Sequence, residues 1–160
     1  REAFGVHATN GILFNHESPR RGETFVTRKI TKAVANIKRG NQEKLYLGNL
    51  DAVRDWGYAK EYVEGMWLMI QKEHADDYVL VTGKTSTIRD FIGYVSEAAE
   101  YDLFNYVKID DKFKRPSEVP LLLANPAKAK MVLGWEAKTP LGDGLYKAYL
   151  WYKENQNEFK

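Results

Sequence analysis

The 160-residue chain contains no cysteine. This excludes disulfide cross-links and thiol catalysis, and it fits a reducing, cytoplasmic setting. Histidine is scarce: the only three, His7, His16 and His74, show no metal-site spacing. No apolar run approaches the roughly 20 residues of a membrane-spanning helix, and the mean hydropathy of −0.52 is that of a soluble globular chain. The start, Arg1-Glu2-Ala3-Phe4, has no hydrophobic signal region, so nothing argues for secretion. Net charge is small as well, at +2, but it is uneven. Residues 1–60 hold eleven Lys/Arg against six Asp/Glu, and residues 61–160 hold thirteen against sixteen. A basic first part suits an anionic ligand, although ordinary scatter would also produce such an excess. Nucleic acid is disfavoured, because no basic stripe recurs along one helix face and no zinc or RNA-binding motif is present.

The length suits one domain with a core of its own, and residues 14–30 are its most informative stretch. An apolar run (Ile12, Leu13, Phe14) ends in Asn15, His16 and Glu17. Ser18-Pro19 then predicts a turn, followed by Arg20, Arg21 and Gly22. A second basic pair, Arg28 and Lys29, lies along an expected helix. Arginine forks grip phosphate in two-pronged geometry, and a helix start adds backbone N–H groups aimed at an anion. The pattern describes a site for a phosphorylated ligand at the carboxyl end of a strand. Taken alone, the same residues also suit an ordinary turn with two solvated arginines.

Periodicity predicts a buried strand over 10–15 and amphipathic helices over 24–39, 58–72 and 88–100. In the second helix, Tyr62, Val63, Met66, Trp67 and Ile70 are expected to form the apolar stripe. Thr85, Ser86 and Thr87 offer caps for the third. Strands are expected at 44–48 and 77–82, with 53–56 extended. Residues 102–120 read as irregular. A helix from Pro126 stops at Gly134, and another opens at Pro140. Residues 1–4 read as a helix already under way. Strands alternating with helices indicate an α/β fold.

The chain resembles the GDP-mannose 4,6-dehydratase family of extended short-chain dehydrogenases/reductases. The matching segments are Asn10–Gly22, Phe25–Ile30, Leu47-Gly-Asn-Leu-Asp51, Arg54-Asp-Trp-Gly57 and Arg115-Pro-Ser-Glu-Val119, in family order. The resemblance implies the carboxy-terminal half of an extended Rossmann-type fold: the last strands and helices of its parallel sheet plus the small substrate-binding domain. It makes residues 1–160 a single substrate-binding unit whose amino-terminal dinucleotide-binding half is absent; no Gly-x-x-Gly-x-x-Gly loop occurs. It implies NADP as cofactor, contacted by His16 and Arg21. It implies GDP-mannose as substrate, contacted by Asn15, Val26, Lys29, Leu47, Gly48, Arg54, Arg115 and Glu118. In this scheme Lys29, Arg54 and Arg115 face the diphosphate, Glu118 accepts ribose hydroxyls, and Gly48 leaves room for the nucleotide. On local sequence alone, Lys29 reads equally as a surface lysine, and Arg54-Asp55 as a surface arginine beside a capping aspartate. The resemblance also implies a homo-oligomer, a tetramer built from dimers, with the arginine-pair loop crossing a subunit interface.

No catalytic residue is expected within the chain. Tyr149-Leu-Trp-Tyr-Lys153 matches the superfamily's Tyr-x-x-x-Lys, but it follows the substrate-binding segments, whereas the family's pair precedes the Asn15 strand. It is expected to be a packing helix. The resemblance therefore implies a lyase of nucleotide-sugar metabolism, with this chain inactive alone. The alternatives are a non-catalytic nucleotide-sugar-binding or assembly module, or another sugar-nucleotide epimerase or dehydratase. Against the last, such enzymes usually carry Asn-x-Tyr-Gly-Pro where this chain has Asn15-His-Glu-Ser-Pro19.

Overall fold

The computed structural model describes residues 1–114, 117 and 119–155. Strand β1 (Asn10–Leu13) leads through Phe14 into β2 (Asn15–Glu17), and a turn then enters helix α1 (Val26–Lys38). Next come β3 (Leu45–Leu47), β4 (Val53–Arg54), β5 (Trp56–Tyr58) and helix α2 (Ala59–Ile70). Strands β6 (Asp77–Leu80) and β7 (Ser86–Thr87) precede helix α3 (Ile88–Ala99). After two 3-10 turns flanking β8 (Val107–Ile109) come β9 (Leu121–Leu122), a π-helical segment (Ala129–Leu133) and helix α4 (Leu141–Glu154).

Most strand pairs are parallel. β1 runs beside β6 with Asn10 opposite Asp77, β2 beside β5 with Asn15 opposite Trp56, and β3 beside β8 with Leu45 opposite Val107. Parallel neighbours need a crossover: the chain from β2 to β5 contains α1, and the chain from β1 to β6 contains both α1 and α2. β4 lies between β7, which is antiparallel, and β9, which is parallel. The chain is α/β.

Local chemistry sets the helix limits. α1 buries Ile30, Ala33, Val34 and Ile37 along one face and stops before Gly40, whose φ of +74° favours glycine. α3 opens with a capping box: the Asp90 N–H donates to the Thr87 hydroxyl at 2.9 Å and the Thr87 N–H to the Asp90 carboxylate at 2.8 Å. The main core joins α1, α3 and α4 over β3 and β5, with Ile30, Leu45, Phe91, Val95, Leu103 and Leu145 at its centre. A second core gathers Tyr62, Met69, Tyr78, Leu80, Leu133 and Trp135 under α2.

Several expectations are corrected. β1 is not buried: Ile12 is 52% exposed, because it lies on the face opposite Gly11, where an added Cβ would stand 3.2 Å from Met69 Cε of α2. The buried face of α2 is Tyr62, Gly65 and Met69, whereas Val63, Met66, Trp67 and Ile70 are exposed. The cause is Gly65, where a Cβ would stand 2.9 Å from Leu80 Cδ1 and 3.0 Å from Trp135 Nε1. The smallest side chain lets that face, not the bulkier stripe, approach the strands. Residues 2–5 form a turn rather than a helix. Residues 102–120, read as irregular, contain β8 and two 3-10 turns. No helix among the described residues is long and apolar enough to cross a membrane.

Candidate functional site

The polar elbow forms where β2 ends. The Arg21 N–H donates to the Ser18 carbonyl at 3.1 Å, the Arg20 N–H to the Ser18 hydroxyl at 3.1 Å, and the Phe25 N–H to the Gly22 carbonyl at 3.1 Å. These turns deliver the chain into α1. His16, Ser18, Arg20, Arg21, Gly22 and Phe25 line one side of a cavity of about 290 Å³, and Tyr62, Val63 and Met66 of α2 line the other. His16 Nδ1 lies 2.7 Å from the Phe14 carbonyl. A carbonyl only accepts, so Nδ1 carries the proton and fixes the ring. The ring stacks on Tyr62 with centroids 4.9 Å apart. Asn15 donates from Nδ2 to the Asp55 carbonyl at 3.2 Å.

Arg21 is held on two sides. Its Nε is 3.6 Å from Glu17 Oε1, and its guanidinium carbon is 3.7 Å from the Phe25 ring centroid. Glu17 Oε1, Arg21 Nε and the Tyr62 hydroxyl are all buried without a hydrogen bond among the described residues. Burial raises the Glu17 carboxyl to about 7, against the opposing pull of Thr27 and Arg21. Burial, with Asp55, Glu61 and Glu17 nearby, also pushes the Tyr62 phenol up. Arg28 corrects an expectation. It is buried beneath the elbow, where it donates to the Pro19 carbonyl and the Tyr152 hydroxyl, so it braces the turn against α4 rather than facing a ligand.

A second cavity, of about 520 Å³, is lined by Gly48, Asn49, Leu50, Asp51, Arg89, Ile109 and Lys114. A Cβ on Gly48 would overlap the Phe113 carbonyl oxygen, so the close approach that requires glycine here is made by the chain's own backbone. Leu47 is a core side chain, and its carbonyl accepts from the Asp110 N–H at 2.8 Å. Lys29 donates to the Tyr46 carbonyl at 2.5 Å and lies 3.6 Å from the Phe113 ring centroid. Partial burial, then Lys112, lowers its pKa, and Asp110 opposes them. Val26 packs against the main core.

Arg54 lies on β4 with Ser86 and Leu122 as its strand partners, and its Nη1 donates to the Val53 carbonyl at 2.8 Å. Asp55 neither orients Arg54 nor caps α2. It is fully buried and accepts from the Thr82 N–H at 3.1 Å, the Thr82 hydroxyl at 2.8 Å and the Gly83 N–H at 2.8 Å, which locks the loop after β6. Arg115 and Glu118 lie outside the described residues.

The structure thus gathers His16 and Arg21 at the elbow and puts Gly48 in a separate cavity; Val26, Lys29, Leu47 and Arg54 line neither. Sequence reasoning missed Tyr62, Glu17, Arg89 and Lys114. Tyr62 was hidden in an apolar stripe, and Glu17 stood in the motif with no sign of its burial. Tyr149 is a core residue of α4 and does not line the elbow cavity. Among the described residues, no group of three or more His, Asp or Glu could hold a metal ion.

The family profile described as GDP-mannose 4,6 dehydratase matches residues 1–148. The chain belongs to the GDP-mannose 4,6-dehydratase family. It is 50% identical over 164 residues to a GDP-mannose 4,6 dehydratase of Dictyostelium discoideum, covering 89% of this chain and 45% of that protein. It is 55% identical over 136 residues to GDP-mannose 4,6 dehydratase 2 of Arabidopsis thaliana, covering 85% of this chain and 36% of the relative. The chain therefore spans less than half the length of these relatives. Among solved structures it is similar to RMD from Pseudomonas aeruginosa complexed with NADPH, with a TM-score of 0.85 at 20% identity over 96% of this chain and 50% of the other. It is equally similar to the dTDP-glucose 4,6-dehydratase DesIV of Streptomyces venezuelae with NAD and TYD bound, again 0.85 at 20% identity, over 99% of this chain and 48% of the other. At that identity the likeness shows the fold alone.

Proposed function

We propose that this chain is the substrate-binding, carboxy-terminal part of a GDP-mannose 4,6-dehydratase, a cytoplasmic lyase that converts GDP-mannose to GDP-4-keto-6-deoxymannose with NADP. The observation that carries this reading is the family match across residues 1–148, which contains the whole elbow. The open edge of β1 and the exposed apolar flank of α2 support a larger fold completed by a dinucleotide-binding half.

The elbow fits a phosphate-bearing nucleotide. It offers Arg20, Arg21 and a fixed His16 ring around one cavity, and among the described residues it leaves Arg21 Nε and the Tyr62 hydroxyl without a hydrogen-bond partner. When bound, NADP would supply the hydride acceptor and donor of the reaction. His16 and Arg21 would hold it, and Tyr62 and Met66 would exclude water from one wall of the cavity. Asn15, Val26, Lys29, Leu47, Gly48 and Arg54, with Arg115 and Glu118, would hold GDP-mannose. The proton-transfer residues would come from outside these 160 residues, so the chain alone would bind without turnover. The complete enzyme would be a tetramer built from dimers, with the Arg20–Arg21 loop at a subunit contact.

The test joins the amino-terminal portion of the Dictyostelium relative to this chain. The chimera is expected to consume GDP-mannose and to bind it more tightly than UDP-glucose. Arg54→Ala should weaken GDP-mannose binding by about 1.5–3 kcal/mol, the range of a charge-assisted contact. A folded chimera that prefers UDP-glucose would refute the reading.

A further inference from the structure

The two buried carboxyls among the described residues are treated in opposite ways. Asp55 receives three donors, whereas Glu17 Oε1 receives none. Glu17 is only 5% exposed, at the end of β2 where it pairs with Tyr58 of β5. A buried carboxylate without donors is costly. Its nearest positive charge is Arg21, four residues on across the turn, at 3.6 Å. That distance is too long for a hydrogen bond and short enough for strong attraction.

The Arg21 side chain makes no hydrogen bond among the described residues. Glu17 on one side and the face of Phe25 on the other hold it at the cavity wall. The other groups around Glu17 are the Thr27 hydroxyl on α1, Tyr62 on α2, Tyr152 on α4 with Arg28 bound to it, and His16 beside it on β2. None of them gives its open oxygen a hydrogen bond.

We propose that Glu17 is a positioning residue: it holds the Arg21 guanidinium against Phe25 and sets how much of that positive charge an anion in the elbow cavity meets. Glu17 does not touch the anion. The inference rests on the elbow being an anion site, and not on which anion fills it. Ionised Glu17 offsets Arg21, and an anion arriving at Arg21 repels the carboxylate. Anion binding therefore takes up a proton at Glu17, and affinity falls as pH rises through the titration of that group. Its pKa, raised to about 7, places this change near neutrality.

The experiment titrates sulfate, a dianion at every pH used, into this chain and follows the Arg21 Nε–H resonance by NMR between about pH 6 and about pH 8. One interacting group limits the loss of sulfate affinity to about tenfold per pH unit, and a several-fold loss over the range is expected. Glu17→Gln keeps an oxygen beside Arg21 without the charge. It should flatten the pH dependence and bind sulfate several-fold more tightly at about pH 8. Glu17→Ala should bind more weakly than the glutamine variant, because Phe25 alone then holds Arg21; if it does not fold, the glutamine variant decides alone. A wild-type slope in Glu17→Gln, or sulfate that leaves Arg21 unmoved, overturns the proposal. GDP-mannose turnover by the chimera is a separate readout: its absence beside an intact sulfate slope would refute the enzymatic reading and leave the role of Glu17 standing.

Discussion

The phenol ring of Tyr62 stacks on the imidazole of His16, with centroids 4.9 Å apart and planes 25° from parallel. One ring comes from α2 and the other from β2, so this contact fixes the wall of the elbow cavity to its floor. Gly57 makes room for it: a Cβ there would stand 2.5 Å from Tyr62 Cε2. The far edge of Tyr62 meets Trp135 at 5.6 Å, which ties the stack into the second core.

Tyr62→Phe is expected to cost no more than about 1 kcal/mol, because the hydroxyl it removes is buried without a partner. Tyr62→Ala should cost about 3–5 kcal/mol through the cavity it leaves. Urea unfolding of the two variants measures both. A loss in Tyr62→Phe as large as in Tyr62→Ala would show that the hydroxyl is bonded in solution.

Gly48→Ala should destabilise the fold by about 1–3 kcal/mol, since the added methyl meets the Phe113 carbonyl and backbone yields poorly. The 3-10 turn at Asp111–Phe113 should loosen with it. Hydrogen exchange of the Phe113 and Lys114 amides reads this directly, because they donate to Asp110 and Asp111 within the turn. Unchanged exchange and unchanged stability would contradict the close contact.

Much of the fold was legible in the sequence because its helices carry their own instructions. α1 repeats its apolar residues at helical spacing and meets Gly40, and α3 has its capping pair three residues apart. The two- and three-residue strands β7, β8 and β9 were not legible, because each exists only through a distant partner such as Leu45 for Val107. The face of α2 was misread for the same reason: the sequence lists apolar residues on a broad arc, and only contact with Leu80 and Trp135 selects Gly65 as the approach point. At the site, His16 and Arg21 were readable as neighbours because one turn joins them. The burial of Glu17 was not, since it depends on β5 and on the start of α1.

Stability should also report the titration of Glu17. Its pKa is raised from 4.5 to about 7 in the folded protein, so the native state holds the proton more tightly than the unfolded chain. The sign follows: this contribution is fully present below the unfolded value and is lost as pH rises towards 7, by up to about 3 kcal/mol. Comparing urea midpoints of the wild type and Glu17→Gln across that range isolates the effect, because the other carboxyls cancel. Parallel pH profiles for the two proteins would show that Glu17 does not titrate there.

The last expectation concerns the brace beneath the elbow. Arg28 donates to the Pro19 carbonyl and the Tyr152 hydroxyl, its guanidinium carbon lies 4.3 Å from the Tyr152 ring centroid, and Tyr152 itself donates to the Pro19 carbonyl at 2.9 Å. Two side chains, Arg28 of α1 and Tyr152 of α4, thus tie the turn to α4 around one carbonyl oxygen. Arg28→Lys keeps the charge but loses the planar guanidinium that lies over the Tyr152 ring, and it should lose about 2–3 kcal/mol. Tyr152→Phe should lose about 1–2 kcal/mol, since it removes one donor and one acceptor of the same network. Because both side chains serve Pro19, the double variant should lose less than the sum by at least about 0.5 kcal/mol, the mark of residues sharing a partner. Urea unfolding of the four proteins in this cycle provides the measurement. Strict additivity would mean that Arg28 and Tyr152 brace the turn independently, and the bridge through Pro19 would then have to be abandoned.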